Sequence, residues 1–426
     1  MAAAPHEVLF ARGQMAYSLG FHIVFAAIGI AMPLLMVGAE ILWRRSHRPE
    51  YLELARRWAK GTAIFFAIGA VSGTVLSFEL GLLFPRFMEL AGPFVGMPFS
   101  LEGIAFFTEA IFLGLYLYGW DRLTPRLHVA CGAVVALSGA LSAVFVTLVN
   151  AWMNAPRGFR LENGQIRGVD PALALGSPFA LHEIAHGLLA AYMATAMAVA
   201  AIHAFGLLRK PGAALHAAAL RLALAVAIPC ALAQPLVGHA AGHAVAEHQP
   251  LKLAAMEGLE HTQAGAPAHL GPVPVPHGLS LLAYGDPDAV VRGLEEFPAA
   301  DRPHPVVHLG FQVMVLLGTG AALWASLTLL LWLRRRRLPQ DRRWLWLTVA
   351  LGPAGVIAME AGWIVTEVGR QPWAIYGVLR TADAATPVGP LWVSFTLFAI
   401  IYVGLAAAAA LVLWREVKKT TAEASA

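Results

Sequence analysis

About nine stretches of this chain are apolar for more than the roughly twenty residues that span a bilayer as a helix. They lie near 14–43, 61–84, 95–120, 128–153, 178–208, 217–240, 306–333, 345–367 and 389–414. Such runs leave little choice of fold, because a backbone in hydrocarbon must satisfy its own hydrogen bonds. The composition agrees: 58% of residues are hydrophobic and 13% are charged, against roughly 25% charged in a soluble domain. The expected fold is an all-α integral membrane protein with about nine transmembrane helices. The first run has no basic stretch before it and no A-x-A site after it, so it reads as a helix rather than a removed signal.

Lys and Arg orient the bundle. Twenty of the 30 basic residues follow the first, third, fifth, seventh and ninth runs, as in Arg44, Arg45 and Arg334 to Arg337. This predicts an N-terminus outside and a C-terminus in the cytoplasm, which an odd number of spans satisfies. The net charge of +4 then reflects topology rather than a nucleic-acid surface. The expected organisation is helices one to six in 1–241, an extracytoplasmic loop in 242–305, helices seven to nine in 306–414, and a cytoplasmic polar tail in 415–426. The loop is rich in Pro, Gly and His, and loops of this length are usually functional or disordered.

Ionisable groups in hydrocarbon are costly and mark function by default. His22, Glu102, Glu109, His186 and Glu360 all sit in apolar runs, together with Met314. Imidazole, thioether and carboxylate suit haem iron and proton transfer. His186 and Met314 lie at similar depths, and His–Met is a known low-spin haem ligand pair. Glu102 and Glu109 are seven apart and project from nearly one helix face, about 10 Å apart along it. With Ser142 on the next run, they have the form of a proton relay. Lys252 and Glu257 follow the sixth run and differ by about 140° in helical azimuth, so they do not form an i,i+4 pair and can address one ligand from two sides. Cys131 and Cys230 stand alone, with no C-x-x-C-H for covalent haem and no four-Cys cluster pattern.

One motif points elsewhere. His182-Glu183-Ile184-Ala185-His186 matches H-E-x-x-H, in which two His bind zinc and the Glu acts as base. An intramembrane zinc metalloprotease is therefore a competing reading, although the later apolar runs hold no Asp to serve as third ligand. A non-catalytic membrane haem electron carrier is another.

The segment Glu360–Trp373 reads EAGWIVTEVGRQPW. It resembles the signature of subunit I of the cytochrome bd quinol oxidases, and GRQPW is highly specific to that family. The resemblance spans nearly the whole chain, through Phe21-His22, Leu101–Leu123, Asn150-Ala151-Trp152-Met153, Ala185-His186-Gly187, KLAAMEG at 252–258 and Phe311-Gln312-Val313-Met314. It implies that His186 and Met314 ligate a low-spin haem b. It also implies that His22 and Glu360 serve two high-spin haems, one haem b and one haem d or a further haem b. Arg370 and Trp373 fall in the haem-binding signature. Glu102, Glu109 and Ser142 would carry protons from the cytoplasm, and Lys252 and Glu257 would belong to the quinol loop. The implied activity is quinol oxidation at the outer face, with O2 reduced to water and a proton gradient formed without pumping. The implied setting is the lipid of the bacterial cytoplasmic (inner) membrane. The implied partners are a second subunit of homologous fold (subunit II) and, in some members, a small single-helix subunit.

The chain departs from the family pattern at several places. Gln312 replaces the usual Arg of Phe-Arg-x-Met, Val356 a Trp, and His239 an acidic residue. The glutamate pair is one residue closer than in the best-known members, and the loop lacks the long insertion. These features resemble the short-loop branch that includes the cyanide-insensitive oxidases.

Overall fold

The computed structural model describes residues 4–271 and 273–423. Among these, nine helices are long and apolar enough to cross a membrane. The first four are α1 (Pro5–Ser46), α2 (Pro49–Leu83), α3 (Pro85–Tyr118) and α4 (Pro125–Asn154). Each opens on a proline at its first turn, where the missing N–H has no helical partner to lose and φ is already helical. A hairpin of β1 (Arg160–Glu162) and β2 (Gln165–Arg167) and a short α5 (Pro171–Leu175) then lead into α6 (Ala180–Arg209) and α7 (Ala214–His248). After the loop come α10 (Val306–Arg335), the pair α11 (Arg342–Leu351) and α12 (Ala354–Gly369), and α14 (Leu391–Glu423).

The helices outrun the apolar stretches. The first run begins at 14, yet α1 begins at Pro5. Hydropathy reports contact with lipid, while the backbone ladder continues past the lipid boundary. The eighth span is broken at Gly352-Pro353 because Pro353 has no N–H to offer the ladder. Prolines inside α1, α3 and α7 (Pro33, Pro93, Pro98, Pro229, Pro235) do not end those helices, as is common in membrane spans, where neighbouring groups re-satisfy the freed carbonyls. The polar tail continues α14 to Glu423, and residues 424–426 lie outside the described residues.

Sequence neighbours pair as α1 with α2, α3 with α4 and α6 with α7. Where α6 and α7 pack, one core cluster is rich in alanine: Ala196, Ala200 and Ala204 from α6 and Ala219, Ala223 and Ala227 from α7, all buried. Small side chains let helix backbones approach closely, which drives packing where lipid removes the hydrophobic contrast. α12 packs against α6, α10 and α1, so it stands at the centre of the bundle. Phe78, Leu82, Ile104, Phe107 and Ile111 leave an exposed apolar face on α2 and α3.

Residues 242–305 are more ordered than their composition suggests. α7 extends to His248, and α8 (Pro250–Glu257) follows at once. Two small sheets pair β3 (Gln263–Ala264) with β6 (Val290–Val291) and β4 (Ala268–Leu270) with β5 (Val273–Val275), with α9 (Gly278–Tyr284) between. Leu253, Met256, Leu259, Leu279 and Val291 pack with Val307 and Val365 and fix this cap to the bundle. β7 (Trp373–Ile375), β8 (Leu379–Arg380) and α13 (Thr381–Ala384) form a second small cap after α12.

Candidate functional site

Glu360 on α12 reaches α1. Its Oε2 lies 3.4 Å from where a Cβ on Gly20 would stand, two residues from His22. Its other oxygen is buried with no hydrogen-bond partner among the described residues. His22 points the opposite way round, into α2: its Nδ1 is 2.9 Å from Ser72 Oγ, and a Cβ on Gly73 would stand 2.9 Å from its Cε1. Ser72 Oγ lies 2.9 Å from Ile68 O. A carbonyl only accepts, so the Ser72 hydroxyl donates there and accepts from His22 Nδ1–H. That tautomer, assigned from the network, leaves the Nε2 lone pair free for a metal.

His186 on α6 packs against α7, with its Cε1 3.3 Å from the position of a Gly238 Cβ. Gln234 on α7 donates to His186 O at 3.1 Å. The ring itself makes no hydrogen bond to a described residue, and its Nδ1 is buried. Met314 on α10 faces α12, with its Sδ 3.0 Å from where a Gly362 Cβ would be. An imidazole with a buried, unpartnered Nδ1 on α6 and a thioether on α10, two helices that both pack on α7 and α12, form a donor set that fits haem iron.

Glu102 and Glu109 both face α4. Ser142 Oγ donates to Glu102 Oε1 at 2.9 Å, and Gly139 gives Glu109 its room, with Oε2 3.3 Å from the position of a Gly139 Cβ. The same face carries Tyr116, seven residues further on. There His128 lies buried between Tyr116 and Trp120, with Nδ1 2.9 Å from Glu40 Oε1 and Nε2 3.0 Å from Tyr116 O. Arg44 also binds Glu40 at 2.6 Å.

At the α8 end, seven polar residues from four elements interlock. Asn150 donates to Glu367, Arg370 Nη2 donates to Glu367 Oε2 at 2.6 Å, and Asn154 Nδ2 lies 3.3 Å from Glu183 Oε1. Gln249 donates to Asn154 O at 2.7 Å, and Lys252 Nζ lies 3.4 Å from Asn154 Oδ1 and from Thr366 O. Lys252 is only 5% exposed. Burial lowers its ammonium from the ordinary lysine value, while Glu183 and Glu367 oppose that shift. The geometry modifies the expectation that Lys252 and Glu257 address one ligand from an open loop: Lys252 is committed to this network, and Gly369 of α12 packs against its stem. Arg370, 3% exposed, keeps Nε and Nη1 without partners among the described residues, two nitrogens with three N–H donors suited to the carboxylates of a haem edge. Trp373 is engaged from one face by Arg380, 4.7 Å from the ring centre.

Glu257 accepts from the backbone N–H of His269, and its Oε2 is buried without a partner among the described residues. Burial pushes this carboxyl up to about 7. Gln312, two residues before Met314, accepts from Gly271 N at 3.0 Å and so ties α10 to the same cap.

The H-E-x-x-H pattern does not assemble a metal site. Glu183 belongs to the network with Asn154, Lys252 and Arg370, and no cluster of three or more His, Cys, Asp or Glu suited to a metal ion occurs among the described residues.

Several polar residues escaped the sequence reading. Glu79 on α2 is 2% exposed and takes a 2.8 Å bond from Gln14. Glu40 and His128 are fully buried. Glu40 and Glu79 carried the same signal as Glu360, a carboxylate inside an apolar run. Glu367 closes the eighth run and carried that signal too, while Asn150 and Asn154 are neutral amides whose partners Glu367 and Glu183 lie on other helices.

Likeness to known proteins extends over nearly the whole chain. The family model for cytochrome bd terminal oxidase subunit I matches residues 10–421. A Bacillus subtilis (strain 168) protein under the provisional name of a cytochrome bd menaquinol oxidase subunit I is 35% identical, over 96% of each chain. The cytochrome bd ubiquinol oxidase subunit 1 of the same organism is 30% identical, over 97% of this chain and 94% of that one. A chain of the solved bd oxidase from Geobacillus thermodenitrificans superposes with a TM-score of 0.90 at 38% identity, over 97% of this chain and 98% of the other. Agreement in sequence, length and helix arrangement together places the chain in the cytochrome bd terminal oxidase subunit I family.

Proposed function

We propose that this chain is the haem-bearing subunit of a terminal quinol oxidase of the bacterial cytoplasmic membrane, with its N-terminus outside and its C-terminus in the cytoplasm. The observation that carries the reading is the convergence on α12, where Glu360 meets α1 beside His22 while Gly362, two residues on, meets Met314 of α10. One helix thus serves both candidate iron sites. His186 and Met314 would hold a low-spin haem b, and His22 and Glu360 the high-spin pair, haem b with haem d or a further haem b. When bound, haem supplies electron transfer and oxygen reduction, and the protein supplies position, electrostatics and protons.

Glu257 would take the proton released by quinol, in a cap closed by His269. Lys252 and Arg370 hold the floor of that cap against α12 and α4. Glu109 and Glu102, aligned on one face with Ser142, would pass protons from the cytoplasm toward the oxygen site. Release of protons on one side and uptake on the other builds a gradient without a pump. The exposed apolar face of α2 and α3 suits a second subunit of homologous fold, with lipid or a small single-helix subunit elsewhere.

The reading is tested on the purified complex in proteoliposomes, by a pyridine haemochromogen assay together with quinol-driven oxygen uptake. Haem with quinol-dependent uptake is expected, and Glu109→Gln should slow turnover at least about tenfold while quinol still reduces the haems. A chain without haem, or with a single six-coordinate haem and no oxygen uptake, would refute it.

The raised carboxyl of Glu257 gives a pH dependence. The folded protein keeps this proton up to about pH 7, while an ordinary Glu loses it near 4.5. Folded-state stability from this group is therefore full below about pH 4.5, declines between about 4.5 and 7, and is lost above 7. Its capacity to accept a quinol proton runs oppositely, rising through 7. Quinol turnover is expected to climb across pH 6–8, and Glu257→Gln to flatten that rise, lower the rate and leave haem spectra unchanged. An unaltered pH profile in Glu257→Gln would remove this carboxylate from quinol chemistry.

A further inference from the structure

The last turns of α7 carry a pair of histidines that the function above does not use. His239 and His243 are one helical turn apart, and their Nε2 atoms approach to 3.2 Å. His239 is exposed and His243 half-buried. Two imidazole nitrogens bound at about 2.0–2.1 Å to one tetrahedral cation lie about 3.3–3.4 Å apart, so these two are already at chelating distance without a rotamer change. An i, i+4 pair of His on one helix face is the arrangement that binds zinc in helical metal motifs. Glu247 stands one further turn along the same ridge, with its side chain 78% exposed; it does not group with the two rings in a three-residue cluster, and its carboxylate supplies negative charge on that ridge.

The surroundings also favour a cation. The sequence has no Lys or Arg between Arg221 and Lys252, and Lys252 is buried in its own network. α9 and α10 pack on α7, and neither carries Lys or Arg before Arg334. A second His pair makes the contrast. His203 and His216 bring their Nδ1 atoms to 2.9 Å at the opposite end of α6 and α7. Arg57 acts on both rings and Lys210 on His216, and two fixed positive charges oppose a bound cation. Of these two pairs, His239 and His243 combine open access, preset spacing and surroundings without Lys or Arg on α7 beyond Arg221.

We propose that His239 and His243 form a surface chelate for a divalent first-row transition cation of the Zn2+, Cu2+ or Ni2+ class, with water completing the coordination. Hard cations such as Mg2+ and Ca2+ prefer all-oxygen ligands and are not accepted. The chelate would staple the segment of α7 between Gly238, which packs under His186, and Gln249-Pro250, where α8 begins. The binding itself does not depend on the haem or quinol assignments.

The test is equilibrium dialysis of the detergent-solubilised complex against Zn2+, with metal counted by mass spectrometry. Wild type, both single His→Gln variants and the double variant are compared, with haem spectra as the check on folding. Wild type should bind one equivalent more than the double variant, and each single variant should bind that equivalent at least about tenfold more weakly. Excess Mg2+ should not displace it. Cu2+ substituted for zinc should show electron-paramagnetic couplings to two imidazole nitrogens. Equal zinc stoichiometry in wild type and double variant, or copper coupled to no nitrogen of this pair, overturns the proposal.

Discussion

Replacement of His186 by Ala is expected to remove one haem b per chain, seen as loss of the low-spin band in the reduced-minus-oxidised spectrum, and to lower quinol turnover at least about a hundredfold. The ring has no protein hydrogen bond to lose among the described residues, so the variant deletes a donor without breaking a network. Met314→Ala should give the same spectral loss. Gly362→Ala is the sharper probe. Its new methyl would stand 3.0 Å from Met314 Sδ, tight enough to push the thioether aside. The expected result is a shifted or high-spin haem signal with the haem retained, which a merely structural disturbance of α12 would not give. Unchanged low-spin spectra in all three variants would show that this pair does not hold the iron.

Glu360→Ala and His22→Ala should each abolish oxygen uptake, by about a hundredfold or more, while quinol still reduces the low-spin haem. Both residues pay for burial only by engaging something: Glu360 has one oxygen with no partner among the described residues, and His22 has its Nδ1 fixed by Ser72. Ser72→Ala separates ligation from positioning. It frees the ring and its tautomer, so it should shift the high-spin absorption and weaken ligand binding without removing haem. Oxygen uptake at the wild-type rate in Glu360→Ala would leave that carboxylate without an essential role.

The sequence made the helices legible because hydrocarbon imposes one rule on every span. It did not show where they end, since Arg86 and Glu89 of α3 sit in helix that hydropathy reads as boundary. Single groups such as His22, His186 and Glu360 stood out as expensive residues in apolar runs. Their neighbours did not. That Glu360 lies against Gly20, or that Lys252 is bound to Asn154 and Thr366, is a contact between residues about 100 or more apart in sequence. No periodicity within one helix encodes it. Glu183 left a competing reading open for the same reason: its spacing to His182 and His186 imitates a zinc motif, while its partners Asn154 and Lys252 come from α4 and α8.

The arrangement of α12 restricts how this family can change. The helix is 16 residues long and starts immediately after the break at Gly352-Pro353. From it, Glu360 addresses α1, Gly362 admits Met314, and Glu367 holds Asn150 of α4. A one-residue insertion or deletion within α12, between Ala354 and Glu360, would turn all three by about 100° relative to the start of the helix and move them by about 1.5 Å, so no partner could be kept by local repair. A change of length inside α12 therefore costs every one of these contacts at once, whereas a point substitution leaves the register of the helix intact. The break at Pro353 supplies the complementary freedom: α11 can slip or lengthen without carrying α12 with it.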